Sequence, residues 1–202
     1  MSKAKIYGTL GAAVLAILST VFTLEGGYVN DPRDPGGATN HGITEQVARA
    51  NGYDGHMKAL PKQVAAEIYT KDYISKPGFD RVIALSPAVG EKLVDAGVNV
   101  GPGRSSRWLQ EALNQLSRGG QDYPKLAVDG QLGAQTVAAY QALERKRGRA
   151  KACELVLKLL DVQQGAHYMQ LNMPTFTVGW VDNRLANVPL QRCHDSVASP
   201  VK

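Results

Sequence analysis

The chain has 202 residues, enough for one good-sized domain with a small extension and a real hydrophobic core. An apolar content of 44% beside 20% charged residues excludes a disordered or fibrous chain and selects no function among globular ones. A formal charge of +5 and a pI near 9.2 favour an anionic partner: nucleic acid, a membrane surface, or an acidic polymer such as bacterial cell wall.

From Ile6 to Leu24 the sequence "IYGTLGAAVLAILSTVFTL" carries no charge, and as a helix it would be about 28 Å long, close to the hydrocarbon thickness of a bilayer. Lys3 and Lys5 precede it while Glu25 and Asp31 follow, so the positive-inside rule places the amino end in the cytoplasm and the rest outside. Gly, Ala, Ser and Thr are frequent in the run, which makes its grip on lipid weak. It reads as a cleaved signal without a good Ala-x-Ala site, as an anchor, as a buried core helix, or as a segment that inserts for export and later leaves the bilayer.

Immediately after it, "LEGGYVNDPRDPGGATNHGIT" places Glu25 and Asp34 on either side of a Gly/Pro loop. Short extended pieces around Tyr28–Val29 and His41–Ile43 are the best strand signals in the chain, and they are expected to pair as a small hairpin across that loop.

Beyond it the pattern is helical. Thr44 can cap "EQVARAN", closed by Gly52, and Pro61 suits the first turn of "KQVAAEIYTKDYIS", whose Val64, Ile68 and Tyr69 share a face before Pro77. Ser86-Pro87 opens "AVGEKLVDAGVNV", which breaks at Gly101-Pro102-Gly103. A helix from about Ser105 carries Trp108, Leu109, Ala112, Leu113 and Leu116 at helical spacing. The loop Gly119 to Gly133 precedes a helix through "AQTVAAYQALER". A longer helix follows with Leu155, Val156, Leu159, Leu160 and Val162. The basic stretch "ERKRGRAK" between them reads as a solvated helix end and turn. After Pro174 the chain reads as irregular. The expected fold is mainly α (α+β), a helical bundle with one small β-hairpin.

Cys153 and Cys193 fit either a disulfide or two buried thiols. His41, His56, His167 and His194 lie far apart and form no metal-binding pattern. The two carboxylates admit a chemical reading. Glu25, at the end of an apolar helix, is in a setting that disfavours its charged form and suits a proton donor, whereas Asp34 lies among turn residues that keep a carboxylate ionised. Cleavage of a glycosidic bond needs such a pair. The bland reading makes Glu25 a helix-end charge and Asp31 and Asp34 Asx-turn residues before Pro32 and Pro35, and composition alone favours it.

The signature "EGGYVNDPRDPGGATNHGIT" resembles that of the family 108 glycoside hydrolases, lysozyme-like muramidases of phages, prophages and bacteria. "AAEIYTKDYISKPGFD" resembles the helix that follows in that family. "VDAGVNVGPGRSSRWLQEALNQL" with "VDGQLGAQT" resembles its companion peptidoglycan-binding segment, and "FTVGWVDNR" its Gly-Trp-x-x-Arg close. Together these cover about residues 21 to 187. The resemblance implies an endolysin that cuts the β-1,4 bond between N-acetylmuramic acid and N-acetylglucosamine, with Glu25 as catalytic acid and Asp34 as base or electrostatic stabiliser. Thr39 matches the signature's Thr, which in phage lysozymes generally helps hold the attacking water; here four residues separate it from Asp34 where the wider arrangement has five.

The opening run resembles the signal-anchor-release segments of some phage endolysins. That implies residues 1–24 as a transient inner-membrane tether, 25–187 as the catalytic domain with about 95–170 as its wall-binding segment, and 188–202 as a tail. It further implies an inactive tethered form and an active periplasmic one, a route that favours a Cys153–Cys193 bond. The expected partner is the peptidoglycan glycan strand, with no metal, no organic cofactor, no nucleic acid and a monomeric chain. Two alternatives are a lytic transglycosylase acting on the same bond and a non-catalytic wall-binding protein.

Overall fold

The computed structural model describes Val14, Ile17, residues 27–30 and residues 37–195, and its backbone falls into two compact units, Met1–Lys76 and Pro77–Lys202. In the first unit, strands β1 (Thr39–Asn40) and β2 (Ile43–Thr44) lead into helix α1 (Glu45–Ala50), a 3₁₀ turn (Met57–Ala59), helix α2 (Lys62–Tyr69) and a π-helical turn (Thr70–Ser75). Thr44 caps α1 as its sequence predicts, its side chain accepting the Val47 N–H at 3.4 Å, and Gly52 follows the helix end with φ +85°. Arg49 then clamps the exit, donating to the Tyr53 and Gly55 carbonyls and pairing with Glu45 at 2.7 Å.

Helix α2 buries Ala65, Ile68 and Tyr69. Its last turn widens into the π-helical segment where Thr70 Oγ1 donates back to the Ala66 carbonyl at 2.7 Å, a competition with the helical ladder of the kind that accompanies such turns. Asn51 reaches across from the end of α1, donating to Asp72 at 2.9 Å and accepting from Lys71 at 2.9 Å. Burial raises the Asp72 carboxyl, but the hydrogen bonds from Lys76 and Asn51 and the lysine charges outweigh it and hold it below the usual range. Of the apolar run 6–24, only Val14 and Ile17 are described. Both are helical, Ile17 is buried, and Val14 lines a cavity with Gln63, Ala66, Glu67, Thr70, Lys71 and Ser75.

In the second unit the regular elements among the described residues are all helices: α3 (Phe79–Leu85), α4 (Pro87–Val100), α5 (Pro102–Leu116), α6 (Ala134–Arg147), α7 (Arg149–Leu171), α8 (Pro174–Arg184) and α9 (Arg192–Asp195). Helix α4 is its centre, buried continuously from Ala88 to Gly97. A Cβ at Gly90 would collide with the Ile83 side chain and come within 2.8 Å of its Cα, so the missing side chain is what lets α3 and α4 approach. Helix α5 begins at Pro102, three residues before its expected start, with proline in the N1 position it favours. Trp108, Leu109, Ala112 and Leu113 are buried as the spacing requires. On α7 the buried face is Val156, Leu157, Leu160, Gln164 and Tyr168, and Val162 is 64% exposed instead of packed.

Two further features differ from expectation or settle an open choice. The segment after Pro174 is a helix, α8, although its β-branched residues and Gly179 weaken its local propensity; the indole of Trp180 stacks on Tyr168 with ring centres 5.1 Å apart. Cys153 and Cys193 form a disulfide with a sequence separation of 40, fixing α9 against α7. Closing a loop of that length contributes roughly 2–4 kcal/mol in chain-entropy terms.

The core of this unit also contains charge. Lys92 is 1% exposed. Its ammonium donates to the Arg184 carbonyl at 2.6 Å and to Asn187 Oδ1 at 3.1 Å, and pairs with Asp161 at 2.6 Å, which uses its three protons. Asp95 accepts from Arg184 at 2.6 Å, and Glu91 pairs with Arg192 at 2.6 Å. Tyr168 donates to Asn99 at 2.7 Å while accepting from Gln164 at 2.8 Å, and burial pushes its hydroxyl up to about 12. One polar edge of α4, from Glu91 to Asp95, is thus what the C-terminal segment docks on.

Candidate active site

The hairpin that carries Thr39 is set by a two-residue turn. His41 and Gly42 both have positive φ, +52° and +73°, the combination that a tight hairpin turn matching strand twist demands. Thr39 therefore pairs with Thr44, and Asn40 with Ile43. Val29 joins from the other side through a single bridge, its N–H donating to the Thr39 carbonyl at 2.8 Å and its carbonyl accepting the Thr39 N–H at 2.7 Å. This corrects the expected pairing of Tyr28–Val29 with His41–Ile43. His41 and Gly42 are left-handed turn residues, a conformation no extended strand contains, so Val29 pairs two residues earlier. Thr39 lies between two neighbouring pieces of chain, half-buried, with its main chain fully bonded.

Asn40 secures the hairpin to the body of the unit. Its side chain is buried and donates to the Met57 carbonyl at 2.8 Å and the Lys58 carbonyl at 3.3 Å, each such bond worth about 1 kcal/mol. Tyr28 and His56 lie beside each other, ring centres 6.4 Å apart. Gly37 is the first described residue after the Gly/Pro stretch of the sequence. Its φ is +76°, and a Cβ there would come within 3.2 Å of Glu45, so both backbone conformation and space call for glycine. Sequence reasoning singled out neither Asn40 nor Glu45; the Asn-x-Gly spacing and the Thr-Glu start of α1 were the available signals. Glu25 and Asp34 lie outside the described residues. Among the described residues no three of His, Cys, Asp or Glu come together as metal ligands.

A short hairpin leading into amphipathic helices, with an acidic Gly/Pro segment feeding the first strand, defines a mainly α, lysozyme-like fold. Residues 18–101 match the family model for glycosyl hydrolase 108, and residues 104–185 match the model described as "Predicted Peptidoglycan domain". The chain thus carries a segment matched by the glycosyl hydrolase 108 model followed by one matched by the peptidoglycan-domain model, and the combination supports a glycoside hydrolase that acts on peptidoglycan. The solved structure titled "Structure of Brucella abortus SagA" is similar at 29% identity, covering 96% of this chain and 98% of that one with a TM-score of 0.65. Comparison with curated proteins gives no match.

Proposed function

We propose that this protein is an N-acetylmuramidase that hydrolyses the β-1,4 bond between N-acetylmuramic acid and N-acetylglucosamine. The observation that carries the reading is the glycosyl hydrolase 108 match across 18–101, which contains the Glu-Gly-Gly-Tyr and Asp-Pro-x-Asp motifs, followed by the peptidoglycan domain at 104–185. Glu25 would protonate the leaving glycosidic oxygen. Asp34 would activate water or stabilise positive charge at the sugar, and Thr39, held on its main chain by Val29, would help position that water. Mass spectrometry of digested wall tests the bond and the reaction together. N-acetylmuramic acid at the new reducing ends is the expected result. An N-acetylglucosamine reducing end would move the cut to the other bond, and an anhydro end, lighter by one water, would make the enzyme a transglycosylase.

The proposed setting is host cell lysis by an endolysin whose residues 6–24 tether it, inactive, to the inner membrane before release into the periplasm. The uncharged run supports this reading. Burial of Ile17 and the position of Val14 beside α2 support a folded form in which this segment packs on protein instead of lipid. Among the described residues no helix is long and apolar enough to cross a membrane. Fractionation over the time course of expression is expected to show uncleaved protein first with membranes and later in the soluble periplasm; protein that is soluble from the start would sink the tether.

A further inference from the structure

The segment between α5 and α6, residues 117–133, is long and has no helix or strand, yet α5 holds it like a template. Asn114 donates to the Leu126 carbonyl at 2.9 Å and accepts the Leu126 N–H at 2.7 Å. Gln110 accepts from the Gly130 N–H at 2.8 Å and donates to Asp129 at 2.7 Å. Tyr123 is buried and donates its hydroxyl to the Leu113 carbonyl at 2.7 Å. Long loops inside compact units are usually either functional or disordered, and this one is anchored to α5 at several points along its length.

Against α6 the loop leaves a cavity of about 520 Å³. A smaller one of about 180 Å³ shares Leu126 and Gln135 with it, and another of about 320 Å³ shares Lys125 and includes Glu111. The α6 wall of the large cavity runs Gln135, Ala138, Ala142, Arg145, successive positions on one helix face. Two alanines in the middle of that row are what open the trough, and its ten-residue span is about 15 Å. An extended tetrapeptide at about 3.3 Å per residue spans about 13 Å and fits within it.

The charge of the trough is one-signed where it is free. Asp122, which lines it, is already paired with Arg147 at 3.3 Å and Arg118 at 3.7 Å. Lys125 and Arg145 are exposed and have no ion-pair partner among the described residues. A trough with an alanine floor and cations at its loop and helix walls fits an acidic peptide with small side chains. It is poorly suited to sugar rings, which favour exposed aromatic faces, because the one aromatic lining it, Tyr123, is buried.

Resting on the peptidoglycan reading above, we propose that the trough between residues 122–126 and the Gln135–Arg145 face of α6 binds the acidic peptide stems of the wall. Lys125 and Arg145 would hold stem carboxylates, and the Ala138 and Ala142 positions would accept the methyl groups of stem alanines. The full-length protein, its variant K125E/R145E and its variant Ala138→Trp are to be compared for binding to purified sacculi. Synthetic stem tetrapeptide and peptide-free glycan oligomer serve as competitors. All three altered positions are exposed, and thermal melts of the variants check the fold directly. The expected result is competition by the stem peptide and not by the glycan, with affinity for sacculi reduced roughly tenfold in each variant, about 1.4 kcal/mol. Competition by glycan alone, or undiminished binding in both folded variants, would overturn the trough while leaving wall binding intact. Absence of sacculus binding by the unaltered protein would overturn the wall-binding reading itself, and the trough with it.

Discussion

Glu25→Gln is expected to slow lysis of wall suspensions roughly 10²- to 10⁴-fold while retention on purified sacculi stays unchanged. Glutamine has the shape of glutamic acid and cannot give a proton to the leaving oxygen, so the loss isolates the acid step from binding. Asp34→Asn tests the second role in the same assay. Its expected loss is also large, because an amide neither activates water nor balances charge at the anomeric carbon. Undiminished lysis by Glu25→Gln would remove the centre of the catalytic reading and leave a wall-binding protein. Lysis and retention falling together would indicate a misfolded variant, which a thermal melt identifies.

Lys92→Ala is the substitution expected to cost the fold most. It takes the ammonium from Asp161, which keeps only the neutral Ala186 N–H at 3.1 Å among its described hydrogen bonds, and removes bonds to the Arg184 carbonyl and Asn187 in one step. Taking one partner from a buried pair typically costs about 3–5 kcal/mol, and Asp161, with its side chain 24% exposed, recovers some hydration, so the lower end is expected. Lys92→Met fills the same space without the charge. A similar loss in both variants assigns the effect to the unpaired acceptors, and a loss confined to alanine assigns it to the cavity. Trp108 and Trp180 both lie in this unit, so urea unfolding followed by tryptophan fluorescence reads it. A loss below about 1 kcal/mol would class the pair with exposed ones.

The same lysine marks where the sequence stops being readable. Periodicity finds α5 because Leu109 and Leu113 are apolar and four residues apart, and it finds the start of α4 because Ser86-Pro87 is a local signal. It misreads Val162, an apolar residue next to Asp161 that the helix turns towards solvent. It also misses α8, because that helix is stabilised by the Trp180–Tyr168 stack and the Arg184–Asp95 pair instead of by an apolar stripe of its own. Contacts between residues so far apart in the chain leave no local trace. The hairpin was legible as a hairpin, but its register depended on the left-handed pair His41-Gly42, which sets Val29 against Thr39. For Glu25 and Asp34 the local chemistry is ambiguous, and the proposal that they form a catalytic pair rests on the wider signature, which falls within the matched residues 18–101.

The bond between Cys153 and Cys193 has a thermodynamic consequence beyond its loop. It holds Arg192 beside Glu91, whose carboxyl is raised above the ordinary range by burial and further by Asp95, with the Arg192 charge and hydrogen bond opposing. A raised carboxyl favours the fold while protonated and loses that contribution as pH climbs through its folded pKa. At neutral pH the arginine is what offsets the ionised glutamate. Reduction frees the arginine, so electrons and protons act on one linked equilibrium. Adding a reductant should therefore destabilise the protein more at neutral pH than in acid, and unfolding curves with and without reductant at two pH values measure the difference.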